Sequence, residues 1–236
     1  MPLRSVVVAV CRFSGRDSRR RAVAVALRVL LRMKIEGVVF DFGGVMSTCA
    51  TPVRVKEITD ARSLPWQAVV DGFSKYRRLY DLGEISVGEF YDRLWRDAGV
   101  EVSAGDRLLI EEADTASFLY GNQKVLDWMR SLKSEGYRLG ILTNMPNELA
   151  PRFKEHFSDI IAEADALVIS CEEHLVKPMR EIYDLTAQRL GVDASRICFF
   201  DDSEMNCRGA RDARWQAVRF ESLDSAVADF ERMIQS

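Results

Sequence analysis

Apolar and polar positions divide this chain into two kinds of pattern. The run Val38-Val39-Phe40-Asp41-Phe42-Gly43-Gly44-Val45 is apolar and β-branched up to a carboxylate, and two glycines follow closely. It predicts a buried strand that delivers Asp41 to its carboxyl end, where open α/β sheets place their chemistry. Residues 47 to about 120 hold no convincing strand but several helical patterns, among them 66–80 and 87–98. Ser86 followed by Glu89 reads as a capping box, and Pro65 sits near the start of its helix. From Gln123 onward the pattern alternates: helix 123–135, strand 137–142, helix 147–156, strand 166–170, helix 179–190, strand 196–201, helix 204–213, strand 215–219 and helix 222–234. Such alternation implies an α/β fold, a doubly wound parallel sheet with helices on both faces. The expected organisation is a core of residues 34–46 and 121–236, interrupted after its first strand by a helical cap of residues 47–120.

Composition adds limits. At 236 residues and 47% hydrophobic, the chain is long enough to bury one good core with a small second domain. No apolar run approaches the ~18 to 20 residues of a membrane-spanning helix, and a net charge of -3 points to neither nucleic acid nor an anionic membrane. A small-molecule partner fits better, with the chain a monomer or homodimer. Five scattered cysteines argue for free thiols in a reducing compartment, so the expected location is cytoplasmic. Two histidines leave little for a histidine base or a multi-histidine metal site, and carboxylates must carry the chemistry. Charge is unevenly placed: residues 1–32 hold eight arginines against the single acid Asp17, a net +7 within a total of -3, which leaves -10 for the rest. Residues 1–33 therefore read as a basic extension dispensable to the domain, with Met33 just before the first strand as an alternative start.

Four segments supply a phosphoryl-transfer chemistry: the Asp41 run, Leu142-Thr143-Asn144, Val176-Lys177-Pro178, and Phe199-Phe200-Asp201-Asp202-Ser203. All lie at or just beyond predicted ends of separate sheet segments, so one crevice would collect them. A strand-terminal Asp can attack phosphorus, splitting one hard displacement into two easier ones. Carboxylates with a backbone carbonyl suit Mg²⁺, a hard cation that bridges protein to phosphate. Lys177 offers a compact positive charge, Thr143 and nearby backbone amides donate to phosphoryl oxygens, and the glycines let backbone approach a ligand. Each motif alone has a bland reading as a turn, a helix cap or a solvated lysine. Their combination in this order is what points to chemistry.

The order and spacing resemble the haloacid dehalogenase superfamily from roughly Glu36 to the C-terminus. The wording Phe-Asp-Phe-Gly-Gly-Val, Leu-Thr-Asn, Lys-Pro and Phe-Phe-Asp-Asp-Ser is similar to the subgroup holding the phosphatase half of soluble epoxide hydrolases and bacterial sugar-phosphate phosphatases. The resemblance implies a Rossmann-like core with a helical cap, a Mg²⁺-dependent hydrolase and a small phosphorylated metabolite as substrate. By carry-over Asp41 is the nucleophile, Lys177 the charge-neutralising lysine, and Thr143, Asn144 and Gly44 the phosphate binders. Asp41, the Gly43 carbonyl, Asp201 and Asp202 form the metal set, with Asp202 the expected direct ligand. One departure matters: where the family's phosphatases carry a second, acid/base Asp, this chain has Gly43. Loss of such help costs about 10² to 10⁴ in rate. A leaving group that needs no proton, an acid from the cap such as Glu84, or a protein that binds phospho-ligands without turnover would each answer the gap. A 2-haloacid dehalogenase reading is disfavoured by Asp201 and Asp202, whose charge would repel a substrate carboxylate.

Other features read as structural. Cys171 and His174 lack a second pair of ligands, and Trp66, Phe73, Tyr76 and Tyr80 recur at helical spacing as a cap core. Arg77 and Arg78 read as solvated, with substrate contact the minority reading, and Cys49 falls in the family's flap segment.

Overall fold

A computed structural model describes residues 35–48 and 53–235. The basic extension of residues 1–33 and the flap residue Cys49 lie outside the described residues.

The first strand, β1 (Gly37–Phe40), is fully buried and runs into a tight turn, Phe42–Met46. Four helices follow: α1 (Val53–Ala61), α2 (Trp66–Asp81), α3 (Val87–Asp97) and α4 (Ala104–Ser117). The chain then alternates through α5 (Gln123–Glu135), β2 (Arg138–Thr143), α6 (Leu149–His156), α7 (Ser158–Glu163), β3 (Ala166–Ile169), α8 (Ser170–Glu173) and α9 (Arg180–Leu190). It finishes with β4 (Ile197–Asp201), α10 (Glu204–Asp212), β5 (Gln216–Arg219) and α11 (Leu223–Gln235). The five strands form one parallel sheet in the order β3-β2-β1-β4-β5, with β1 central and Phe40 in register with both Ile141 and Phe200. This is the doubly wound α/β fold that the alternation predicts.

Strand alternation divides the core. Val38 and Phe40 face one apolar cluster with Ile141, Phe200, Met129 and Phe230, while Val39 faces another with Leu142, Phe199, Ile182 and Trp215. Both faces of β1 are thus covered, which is why its sequence shows no polar position. The helices α1 to α4 pack around their own cluster, including Val69, Tyr80, Phe90, Leu94, Trp95 and Ile110. Where this insert leaves and rejoins the sheet, its two connections run side by side: Ser47 bridges Gly121, and the Asn122 amide donates to the Met46 carbonyl at 2.7 Å.

Element edges moved where tertiary contacts intervene. The helix expected over 147–156 begins at Leu149, after a turn in which the Asn147 and Glu148 side chains bond to the insert. The strand expected over 166–170 ends at Ile169, since Ser170 opens α8. Only half of the capping box forms: Ser86 Oγ accepts from the Glu89 amide at 3.1 Å, but the Glu89 carboxylate pairs with Arg93 at 2.6 Å. No helix among the described residues is long and apolar enough to cross a membrane.

Candidate active site

The carboxyl edge of the sheet collects the predicted residues. Asp41 follows β1, Thr143 ends β2, Asp201 ends β4, and Lys177 enters from the loop between α8 and α9. The turn that carries Asp41 is fixed from beneath, with the Phe42 ring packed on Phe153 and Phe157 at centroid distances of 4.6 and 5.1 Å. Its shape also depends on Gly44, whose φ of 72° is left-handed, whereas Gly43 at φ -64° and ψ 129° is in a region open to any residue.

The lysine is the hub. Lys177 is 3% exposed, and its ammonium meets Asp41 Oδ1 at 2.7 Å, Asp201 Oδ2 at 2.6 Å and the Leu142 carbonyl at 3.3 Å. Three N–H groups find three acceptors, so the ammonium is held with no freedom to rotate. Burial alone would drive the Lys177 pKa down, but Asp201 and Asp41 outweigh it and hold the group well above its ordinary value. Asp41 moves up: burial is the largest cause, Asp201 adds repulsion, and Lys177 only partly opposes them. Asp202 is also raised, by burial and then by Asp201.

Asp41, Asp201 and Asp202 each present an oxygen within 4.8 Å of the others. Three carboxylates against one ammonium would leave two negative charges in a poorly solvated crevice. Such an excess is costly unless a cation shares it. An all-oxygen donor set with this imbalance fits a hard divalent ion such as Mg²⁺. The three acids are not equivalent. Asp201 is fully buried and already saturated: Oδ1 accepts from the Ser203 amide at 2.8 Å and Asn206 at 3.0 Å, and Oδ2 from Lys177 and from Asn206 at 3.1 Å. Asp202 is only half-buried, with one carboxylate oxygen facing those of Asp41 and Asp201.

Thr143 is buried at 1% exposure beside the crevice, its hydroxyl making only a long 3.4 Å bond to the Asn144 carbonyl. The Asn144 side chain, expected by resemblance to bind phosphate, meets the backbone of Lys177. Its oxygen accepts from the Lys177 amide at 2.8 Å, and its Nδ2 donates to the Lys177 carbonyl at 3.1 Å.

Three residues of the site's surroundings escaped the sequence reading. Asn206 lies one turn into α10, where a polar residue looks like any helix-surface position. Ser170 is buried at the end of β3, accepting from the Met145 amide at 2.8 Å and donating to the Asp81 carbonyl at 2.5 Å. Asp81 is the insert acid near the site: it is 4% exposed and bound by Arg77 Nε at 2.8 Å, and its charge interacts with that of Lys177. Glu84, considered from sequence as a cap acid, is exposed. Arg77 is not solvated as expected but lies between Asp81 and the Phe73 and Tyr80 rings, at 5.1 and 5.7 Å.

A family model for haloacid dehalogenase-like hydrolases matches residues 35–214, which spans every group just described. The chain belongs to that family. Among relatives of this haloacid dehalogenase-like hydrolase, the phosphatase MT3486 of Mycobacterium tuberculosis is 25% identical over 192 residues, 78% of this chain and 87% of that protein. Mouse acyl-CoA dehydrogenase family member 10 is 24% identical over 212 residues, 84% of this chain, but the match spans 19% of that longer protein. A HAD family enzyme of Bacteroides thetaiotaomicron, solved as an Asp-to-Ala mutant with magnesium and inorganic phosphate, superimposes with a TM-score of 0.66 at 21% identity, covering 82% of this chain and 98% of that one. At that identity the likeness is one of fold.

Proposed function

We propose that this hydrolase is a Mg²⁺-dependent phosphatase for a small phosphorylated metabolite, acting through an aspartyl-phosphate on Asp41. The observation that carries the reading is the single ammonium of Lys177 bonded to both Asp41 and Asp201, with Asp202 presenting an oxygen beside them. In the first step an Asp41 oxygen attacks phosphorus and the substrate oxygen leaves with the bonding pair. In the second, water attacks the phosphorus of the aspartyl-phosphate, releasing inorganic phosphate and restoring the carboxylate. Lys177 holds Asp41 aligned and offsets the charge that gathers on the phosphoryl oxygens, while Thr143 and the backbone at Gly44 would donate hydrogen bonds to those oxygens. The residues that would hold Mg²⁺ are Asp41, Asp202 and the Gly43 carbonyl, with Asp201 serving chiefly to fix Lys177. When bound, the ion supplies a hard positive charge shared by the carboxylates and the phosphoryl group.

The magnesium-and-phosphate complex of the Bacteroides enzyme and the phosphatase from Mycobacterium support the reading by analogy. The insert of residues 47–120 would act as a cap that closes the crevice and selects the substrate. With Gly43 offering no proton, the favoured substrates are those whose leaving group departs as a stable anion, such as acyl or aryl phosphates. Gly43 also motivates a second reading, a protein that binds phospho-ligands without turning them over. Buried free thiols at Cys171, Cys198 and Cys207 fit the cytoplasmic location that belongs to this proposal.

A screen of acyl, aryl and alkyl phosphates with and without Mg²⁺, on the native chain and Asp41→Asn, tests the assignment. Turnover that needs Mg²⁺ and is lost in Asp41→Asn supports it. Beryllium fluoride binding with no turnover of any class selects the binding-protein reading, and halide release from a 2-haloacid without metal would replace both.

A further inference from the structure

The buried Lys177 ammonium reaches Asp41 and Asp201 on four rotatable bonds, so its place depends on where the backbone of residue 177 is held. That backbone lies in a loop, outside any sheet ladder. Locally a turn bond runs from the Met179 amide to the Val176 carbonyl at 2.8 Å, and the Leu175 amide meets the Ser170 carbonyl at 3.3 Å. The peptide groups of Lys177 itself are bonded by Asn144. The Asn144 amide faces the Lys177 peptide groups edge to edge, accepting from N–H at 2.8 Å and donating to C=O at 3.1 Å. Only one orientation of the amide satisfies both bonds. Flipping it would set donor against donor and acceptor against acceptor. An asparagine has one oxygen and two N–H groups, so this pairing uses the oxygen and one of the two donors.

We propose that Asn144 is a positioning residue that sets the Lys177 ammonium between Asp41 and Asp201, and that its side chain is not a ligand of the phosphoryl group. The adjacency of Thr143 and Asn144 then has a mechanical meaning. One residue ends β2 at the crevice, and the next ties the β2 edge to the loop that brings in the lysine, so the strand transmits its rigidity to a group that carries none of its own. Misplacement of an aligned group by about 1 Å is enough to cost 10²-fold in rate. The inference rests on the reading of Lys177 as the charge-neutralising group at Asp41, but its test does not depend on turnover alone.

The test uses Asn144→Ser, which removes both bonds, and the near-isosteric Asn144→Asp, which keeps the acceptor for the Lys177 amide and replaces the donor. The second variant serves if the first fails to fold. With p-nitrophenyl phosphate and Mg²⁺, kcat should fall about tenfold to 10²-fold in both, while the inhibition constant of inorganic phosphate stays within about threefold of native. A tenfold or larger rise in that constant, or an unchanged kcat, would overturn the proposal. Independently of turnover, acetylation of Lys177 by acetic anhydride, followed by mass spectrometry, should be at least about tenfold faster in the variants once the ammonium loses its fixed place. Equal protection in native and variant protein would overturn the proposal even if the chain hydrolyses nothing. Faster labelling with no turnover in the native chain would keep the positioning role and discard the phosphatase reading.

Discussion

The side-chain amide of Asn147 donates to the Gly83 carbonyl at 3.1 Å, joining the loop after β2 to the elbow between α2 and α3. Its neighbour Glu148 accepts from the Val87 amide at 3.1 Å, at the first turn of α3. A donor thus meets the end of one helix and a carboxylate the start of the next, which is the polarity that each helix terminus favours. His174 Nδ1 at 3.1 Å from the Leu82 carbonyl and Ser170 on Asp81 complete the set, so three successive carbonyls, 81 to 83, are taken by core side chains. The elbow is docked on the same loops that carry Asn144 and Lys177.

Gly83 is required twice at that elbow. Its φ is +71°, and an added Cβ would lie 2.8 Å from Asn147 Oδ1. Gly83→Ala should therefore destabilise the protein by about 1–3 kcal/mol, read from urea unfolding, whereas Gly99→Ala, with similar φ but open space, should cost less. Equal losses would mean that docking at Asn147 adds nothing.

Excess negative charge at the crevice should make the fold sensitive to metal. Mg²⁺ should raise the melting temperature, with about 2.7 kcal/mol of added stability at a concentration 100 times its dissociation constant. Asp202→Asn should reduce this response and raise the Mg²⁺ concentration needed for it. An identical thermal response in the native and Asp202→Asn proteins would remove Asp202 from the metal set.

Gly43 has a backbone that accepts a side chain at φ -64°, in contrast to Gly44 at φ 72°. Gly43→Asp should retain the native melting temperature within a few degrees and raise turnover of simple alkyl phosphates, by up to the about 10² to 10⁴ that general acid/base help supplies. Folded, Mg²⁺-responsive Gly43→Asp with no gain would show that the missing carboxylate is not what limits the site.

Asp114 of α4 is 2% exposed and accepts from Tyr80 Oη at 2.8 Å and Tyr91 Oη at 3.1 Å. Burial is the largest influence and raises its pKa, against the opposing pull of Arg77 and the two hydroxyls. The folded state therefore holds this proton more tightly than the unfolded state does. The contribution of this group to stability is greatest below its unfolded value of about 3.9 and is lost as pH rises through the folded value, the reverse of an ordinary paired carboxylate. Asp114→Asn should flatten that part of the profile in urea melts taken from pH 4 to 7, and retention of the full slope would assign it to another group.

The core was legible because buried parallel strands and their helices write strong apolar runs into a sequence, and the motifs at 41, 143 and 201–202 fall at strand ends where such sheets gather their chemistry, whereas Lys177 reaches in from the loop between α8 and α9. What escaped was set by contacts between distant segments. Asn144 reads as a ligand beside Thr143, and nothing in its own segment reveals that its side chain meets the backbone of a residue 33 positions away. Arg77 reads as a solvated charge on a helix, yet it is half-buried and paired with the buried Asp81 one turn on. Glu89 matches a capping box, but the competing Arg93 one turn on takes its carboxylate.

The chain enters and leaves the four-helix unit through the side-by-side connections at Ser47 and Gly121. All five strands pair with one another without it, so its surface is open to change while the sheet's alignment stays intact. If the unit selects the substrate as proposed, its choice would be free to drift among α1 to α4 at little cost to the machinery beneath, provided that the elbow keeps its anchorage at residues 81–87.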